Sequence, residues 1–257
     1  LGITSMHNMD GNWYQLELLQ EMLDRGELNA RVEIPFHQKN YFELSRVDEA
    51  VDMRATYNGD MLHCHRVKIF IDGVLETLTA LMIYDYRHGF QISTHAIGDG
   101  AIRRTLDGYA AAQKANGRRD SRHRIEHIEL IDPADIPRLK ELGVIASLQP
   151  VSAPTVPGNP LEPILTRVGD KLPYAYAWQL LREAGAVVAF SSDWPVAPLN
   201  PFQGIQAALT ARPLRADCRP QAQTLMDTLR SFTADGAYIA FMEDRKGTLK
   251  QGYLADV

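Results

Sequence analysis

The segment HRIEHIEL, residues 123–130, places two histidines and two acids close together in the chain. In an extended strand the side chains alternate between two faces, so His123, Ile125 and His127 are predicted to share one face. Imidazole nitrogens and carboxylate oxygens are common ligands of divalent metals. A histidine near the carboxyl end of a strand, followed by a helix that opens with proline, is how an α/β barrel presents a metal ligand.

Three further predicted strands each carry an ionisable residue near the carboxyl end: Lys68 in VKIFIDG, His95 in GFQISTH and Asp193 in AVVAFSSD. Barrel enzymes build their sites at that end, so these side chains are predicted to converge with His127. Each residue also has a structural interpretation, since a histidine can pack, a lysine can lie along the surface and an aspartate can cap a turn. The coincidence of four such residues favours a common functional site.

The elements that must position these residues alternate between strands and helices. Seven strands are predicted, in the segments GITSMHNMDG, ARVEIPF, HRVKIFIDGV, HGFQISTHAIGDGA, HRIEHIEL, GVIASLQP and GAVVAFSSDWP. This alternation predicts an α/β fold with a parallel sheet, either doubly wound or closed as a barrel. The GDG at 98–100 lacks the spacing of a dinucleotide-binding turn. Seven strands are one fewer than a TIM barrel contains.

Composition excludes several classes of protein. The 257 residues carry a formal net charge of −5, which argues against a nucleic-acid-binding surface. The two cysteines, Cys64 and Cys218, have no paired spacing, so neither a disulfide framework nor a thiolate zinc site is predicted. No apolar run approaches the ~20 residues that span a bilayer. No signal peptide opens the chain, and a cytoplasmic protein with no membrane partner is expected.

The strand-end motifs resemble, in order, signatures of the amidohydrolase superfamily. They are KIFIDG, STHAIGDGAI, HRIEHIEL, SLQP and GAVVAFSSDWPVAPLNPFQGIQAA. The subgroup that they resemble most is amidohydrolase family 3, which includes proteins similar to N-substituted formamide deformylase. The resemblance implies a metal-dependent hydrolase barrel of the TIM (β/α)8 type over residues 1–245. The closing KGTLKQGYLADV resembles the segment where the family's chain enters a flanking β-sandwich, which implies that 246–257 begins that sandwich.

The resemblance also implies a set of metal ligands. His95 and His127 resemble the metal histidines of family strands 5 and 6, and Asp193 resembles the strand 8 aspartate. Lys68 resembles the strand 4 lysine that superfamily members can carboxylate, which would turn an ammonium into an anion able to bridge two metals. One or two divalent ions, with zinc as the expected metal, would bind there. Asp72, Asp99 and Glu126 are candidates for orienting the ligands, and a structural ion pair is the alternative for each.

Two features depart from the family pattern. The His-x-His pair of family strand 1 is absent, and GITSMHNM resembles strand 2, so strands 2–8 are predicted and the barrel is expected to be incomplete. HCH at 63–65 also has the pattern His-x-His, but it precedes strand 4, so it is predicted not to be the strand 1 pair.

The resemblance implies hydrolysis of a carbon–nitrogen bond outside peptides, in a small amide, formamide or cyclic amide. Metal-activated water would attack the carbonyl carbon, and Asp193 would take the water's proton and pass it to the leaving nitrogen. The alternative is a non-catalytic barrel remnant that binds a ligand or partner, since open sheet edges favour pairing, for example as a homodimer. A sugar-phosphate barrel enzyme would need a glycine-rich phosphate loop, which SSDWPVAPLNP is not.

Overall fold

The computed structural model describes residues 2–39, 41–70 and 89–255. The chain forms two compact units. The N-terminal unit comprises residues 2–95 and 107–124, and the C-terminal unit comprises residues 96–106 and the described chain from residue 125 onward. Helices and strands alternate in both, and parallel strand pairing occurs in each. The predicted α/β class with parallel sheets is therefore confirmed.

The elements that begin before residue 124 lie mainly in the N-terminal unit, although residues 96–106 belong to the C-terminal unit. They are β1 (Ser5–His7), α1 (Trp13–Asp24), β2 (Arg31–Glu33), β3 (Phe36–Gln38), α2 (Val47–Thr56), β4 (Leu62–His63), β5 (Arg66–Phe70), β6 (Gln91–Ala96) and α3 (Asp99–Asn116). Strands β1, β2 and β4 pair side by side, and β5 pairs between β3 and β6. Parallel pairing brings the carboxyl ends of neighbouring strands to one edge. His95 lies near that end of β6, whereas Lys68 is the middle residue of β5.

The predicted strand ARVEIPF is divided in the structure. Strand β2 pairs with β1 and β4, whereas β3 pairs with β5. Pro35 lies between the two segments and has no N–H to donate to a ladder, so it interrupts regular pairing. The division carries β3 two residues beyond the predicted strand, to Gln38, and adds His37 to the β3–β5 register.

Gly11 fixes the turn between β1 and α1. A Cβ atom at this position would lie 1.8 Å from the carbonyl oxygen of Pro35 and 2.9 Å from the Ile34 side chain. Helix α1 then begins with Asn12 as its cap, whose side chain accepts a hydrogen bond from the Gln15 N–H. The close approach of the two backbones therefore requires glycine.

The C-terminal unit contains the remaining elements. They are β7 (Arg124–His127), α4 (Ile136–Leu142), β8 (Ile145–Leu148), α5 (Glu162–Arg167), α6 (Trp178–Glu183), β9 (Val188–Phe190), α7 (Pro201–Thr210), α8 (Leu225–Phe232) and α9 (Ala234–Ile239). Strand β8 lies between β7 and β9 and pairs in parallel with β9. Ile145, Ala189 and Ile239 form a buried apolar cluster that joins these strands to α9.

The described part of the segment predicted to begin a β-sandwich, residues 246–255, contains turns and no strand. Its backbone is held locally, since the Leu254 N–H donates to the Arg245 carbonyl at 2.7 Å. A strand needs a neighbouring strand to satisfy its ladder, and none pairs with these described residues. The assignment of 246–257 to a second domain stays a prediction.

Candidate active site

Lys68 and His95 both lie against Phe70 in the N-terminal unit. The β5–β6 register aligns Lys68 with Ser93 and Phe70 with His95. The Phe70 ring lies 4.8 Å from the His95 ring, between centroids, and the Lys68 Nζ lies 4.5 Å from the Phe70 centroid. Lys68 is only 1% exposed, although its amine is the charged end of a long polar side chain. Such burial is unusual for lysine and points to a role in the interior.

His37 joins this group from β3, and the sequence motifs missed it. The register aligns His37 with Lys68, and the His37 ring lies 5.1 Å from the Phe70 ring. Its Nδ1 is 2.7 Å from the Asp10 carboxylate. Burial lowers the pKa of His37, and the Asp10 carboxylate opposes that shift. The sequence feature that could have indicated His37 is its position directly after the predicted strand ARVEIPF, residues 30–36.

A buried charged layer lies beside these residues on β1, β2 and β5. Arg66 is fully buried, and its Nη2 lies 3.3 Å from the Glu33 carboxylate. Burial acts to raise the pKa of Glu33, but the surrounding positive charges, with Arg66 the strongest, together outweigh it and hold the pKa at about 2. His7 Nδ1 lies 3.1 Å from a guanidinium nitrogen of Arg66 and of Arg124. Burial lowers the pKa of His7, so its neutral ring accepts these hydrogen bonds.

His127 and Asp193 lie in the C-terminal unit, at strand ends with unusual backbone geometry. His127 ends β7 with φ +80°, and the buried Ile128 follows with φ +47°. A left-handed conformation is uncommon for any residue other than glycine and is an outlier for a β-branched one. Asp193 follows β9 with φ +62°, and its carbonyl accepts the Val196 N–H at 2.8 Å. Such strain concentrates at functional sites.

The side chains of Arg124 and His123 show which way the start of β7 faces. Arg124 Nε donates to the Ser93 hydroxyl at 2.8 Å, so Arg124 lies on the face of the sheet that carries Lys68. His123 is buried, its ring stacks 4.9 Å from the Tyr109 ring of α3, and its Nδ1 accepts the Ile92 N–H. The His123 ring therefore packs against helix α3.

The predicted supporting acids have different surroundings. Asp72 lies outside the described residues. Asp99 forms an ion pair with Lys171 and accepts the Gly100 N–H at 2.9 Å, which is the structural alternative named above. Glu126 is 2% exposed in β7. The role of Asp72, Asp99 and Glu126 in orienting metal ligands stays a prediction.

The HCH segment does not form a metal site. His63 and His65 rings lie 4.8 Å apart, and His65 Nε2 is 2.6 Å from the Asn58 side-chain oxygen. Within the described ranges, no three His, Cys, Asp or Glu side chains are placed so that they could hold a metal ion. His95 in the N-terminal unit, and His127 and Asp193 in the C-terminal unit, offer imidazole nitrogen and carboxylate oxygen, which are donor types that fit a divalent cation chemically.

No helix among the described residues is long and apolar enough to cross a membrane.

Sequence comparison relates the whole chain to one family. A family model described as the amidohydrolase family matches residues 1–257. Protein LONG AFTER FAR-RED 3 of Arabidopsis thaliana is 30% identical over 227 residues, which cover 77% of this chain and 38% of that protein. The Bacillus subtilis (strain 168) protein named "Putative amidohydrolase YtcJ" is 24% identical over 291 residues, which cover 99% of this chain and 52% of that protein.

Structural comparison gives the same picture of the fold. An uncharacterized metal-dependent hydrolase from Pyrococcus furiosus superposes with a TM-score of 0.77 at 23% identity. The superposition covers 97% of this chain and 54% of that structure. The chain thus spans about half or less of the length of these relatives. The shared fold agrees with the predicted α/β hydrolase barrel, and its incompleteness stays a prediction.

Proposed function

Because the chain belongs to the amidohydrolase family, we propose that it acts as a metal-dependent hydrolase of a carbon–nitrogen bond outside peptides. The proposed substrates are small amides, formamides or cyclic amides, as in proteins similar to N-substituted formamide deformylase. The observation that carries the proposal is the placement of Lys68, buried in β5, beside the Phe70 ring, which in turn lies against the His95 ring. This arrangement supports an interior polar site rather than a surface lysine.

The proposed metal ligands are Lys68 as its carbamate, His95, His127 and Asp193. Zinc is the proposed ion because the donors are imidazole nitrogen and carboxylate oxygen. When bound, the metal would supply an acidified water and polarise the substrate carbonyl. A carbamate is an anion, so it removes the repulsion that a lysine ammonium would exert on a cation.

Asp193 is the proposed proton carrier. It would accept the proton of the attacking water and deliver it to the leaving nitrogen, so that the amine departs neutral. Its φ of +62° supports this role, because the turn that follows β9 holds the residue in a conformation that aspartate and asparagine tolerate better than most side chains. Asparagine at 193 should therefore keep the backbone while removing the base.

The test is metal analysis and turnover with a panel of N-substituted formamides and cyclic amides. Purified protein is expected to bind about one or two zinc ions per chain and to release amine from at least one substrate. Asp193→Asn should reduce turnover by at least a hundredfold, within the range that general acid–base catalysis contributes. Asp217→Asn, at an exposed aspartate paired with Arg215, is the matched control.

Substantial turnover by Asp193→Asn would contradict the proton transfer. Protein that binds no zinc and hydrolyses none of the panel would contradict the enzyme proposal as a whole and would favour the binding remnant instead.

A further inference from the structure

One histidine ties strand β1 to two buried arginines of the N-terminal unit. Arg66 Nη1 and Arg124 Nη1 each lie 3.1 Å from the His7 Nδ1 atom. Arg66 is fully buried, and Arg124, the last residue of that unit, is also buried. An imidazole nitrogen accepts a hydrogen bond only while it carries no proton. The contact of both arginines with β1 therefore depends on a neutral His7 ring.

The residues that directly follow β1 contact the same two arginines. Arg66 Nη2 donates to the Asn8 carbonyl at 3.2 Å. Arg124 Nη2 lies 3.6 Å from the sulfur atom of Met9. The two guanidinium groups therefore hold the backbone after the strand as well as the histidine ring, and a change at the ring affects the whole of segment 7–10.

Strand β1 is short and lies at the edge of its sheet. It contains three residues and pairs with β2 in the three-stranded sheet formed by β1, β2 and β4. At one end of the pairing, the Arg31 N–H donates to the Thr4 carbonyl at 2.9 Å. At the other end, the Asn8 N–H donates to the Glu33 carbonyl at 2.9 Å. A short edge strand can open locally while the rest of its unit stays folded.

A proton on His7 Nδ1 would turn the acceptor into a donor that faces both guanidinium groups. The charged and titratable groups around the ring are Glu33 on β2, His63 on β4, Arg66 on β5 and Arg124 at the start of β7. Of these four, Glu33 is the one acid, and its carboxylate already lies 3.3 Å from Arg66. Burial lowers the pKa of His7 well below its ordinary 6.5, and the two arginines add to the shift against the opposing charge of Glu33. The folded unit therefore accommodates this proton poorly.

We propose that His7 is an acid-sensitive switch, which releases segment 7–10 from β2 and from the two arginines as the pH falls while the rest of the N-terminal unit stays folded. In the released segment the ring gains a proton and is hydrated by water. Release also carries Asp10 away from His37, whose Nδ1 lies 2.7 Å from the Asp10 carboxylate. The switch is a property of the fold and does not rest on the proposed hydrolase activity.

Proton linkage gives the size of the effect. The released ring binds a proton with the ordinary histidine pKa of 6.5, whereas the pKa of the held ring is lower. The held state is therefore favoured above pH 6.5 and loses its advantage as the pH falls below that value. The equilibrium constant for release should rise about thirtyfold from pH 7.5 to pH 5, as follows for one group that titrates at its ordinary pKa.

The test is amide hydrogen exchange measured by NMR, expressed as protection factors that correct for the intrinsic pH dependence of exchange. The Asn8 and Arg31 N–H groups join the two ends of β1 to β2, and each should lose about thirtyfold of its protection from pH 7.5 to pH 5. The Val32 N–H donates to the Met61 carbonyl at 2.8 Å on the β4 side of β2, and it should keep its protection as the internal control.

Two variants separate His7 from other titrating groups. His7→Asn keeps a side-chain acceptor and does not titrate, so the protection of the Asn8 and Arg31 amides should no longer depend on pH. His65→Asn, at an exposed histidine of the same unit, is the matched control and should retain the thirtyfold loss. The wild-type ring gives a readout that needs no variant, since its nitrogen shifts at pH 7.5 should show a proton on Nε2 and none on Nδ1.

Four results would each overturn the switch. Constant protection of the Asn8 amide in the wild type would show that the segment is not released. An equal loss at Val32 would show unfolding of the sheet rather than release of its edge strand. A loss that persists in His7→Asn would assign the titration to another group. A ring that carries a proton on Nδ1 at pH 7.5 could not accept from the arginines. If His7→Asn does not fold, the wild-type amides and the ring shifts decide the question by themselves.

Discussion

At the scale of single residues, Lys68 has the least ordinary environment of the candidate ligands. Its side chain is buried in β5, its amine lies over the Phe70 ring, and His37 and Ser93 flank it in the register. A ring face attracts a cation, so the ammonium has a structural partner in the absence of any metal. Conversion to a carbamate would replace that cation with an anion suited to metal binding.

Carboxylation of Lys68 is testable through bicarbonate. The free amine adds carbon dioxide and releases a proton to give a carbamate, so zinc retained after dialysis should rise with added bicarbonate. Lys68→Gln cannot form the carbamate and is expected to lose this dependence and at least half of the bound zinc. Lys171→Gln, at an exposed lysine paired with Asp99, should keep the bicarbonate effect. Zinc content in Lys68→Gln that still rises with bicarbonate would rule out the carbamate.

At the scale of elements, the candidate residues depend on how the strands are connected. Pro35 separates β2 from β3, and Gly11 allows the β1–α1 turn to pass against the Pro35 carbonyl. This packing places Asp10, the residue before Gly11, within hydrogen-bonding distance of His37 on β3. The orientation of His37 therefore depends on a close backbone contact rather than on its own strand.

Gly11→Ala should destabilise the N-terminal unit because the new Cβ would overlap a backbone oxygen that cannot move aside. The expected loss is about 2 kcal/mol or more in the free energy of unfolding, as for overpacked interiors. Gly59→Ala is the control, since its Cβ would meet the Leu62 carbonyl at an ordinary 3.4 Å. Urea unfolding measures both variants. Equal midpoints for the two would show that the turn accommodates a side chain.

At the scale of the whole molecule, buried histidines should shape stability against pH. Burial lowers the pKa of His123 to about 3 from its ordinary 6.5, and the nearby Arg119 charge adds to the shift. The unfolded chain therefore takes up a proton at a higher pH than the folded chain does. Stability is complete above pH 6.5 and declines as the pH falls toward 3. The lowered pKa of His7 acts in the same direction.

His123→Asn should flatten this decline, because asparagine keeps an acceptor for the Ile92 N–H and does not titrate. The measurement is the urea midpoint between pH 7 and pH 4, where the variant is expected to lose less stability than the wild type. His65→Asn, at an exposed histidine, should change the slope less. An unchanged slope in His123→Asn would mean that the ring gains its proton without opening the packing against Tyr109.

The amino-acid sequence alone determined the α/β class, the positions of most helices and strands, and the ionisable residues at the strand ends. These features are local, since they follow from hydrophobic periodicity, capping residues and the chemistry of neighbouring side chains. The placement of Lys68 beside Phe70, and of Phe70 beside His95, depends on the pairing of β5 with β6.

Only the tertiary structure decided the details that join distant residues. Asp10 and His37 are 27 positions apart, and no periodicity links them. The positive φ at His127 ends the strand alternation that placed its side chain. The environment of the Trp178 indole N–H, which has no hydrogen-bond partner among the described residues, depends on packing around α6. Such features arise where backbone and side chains from separate elements meet, because burial and hydrogen-bond partners there depend on the folded arrangement and not on the local sequence.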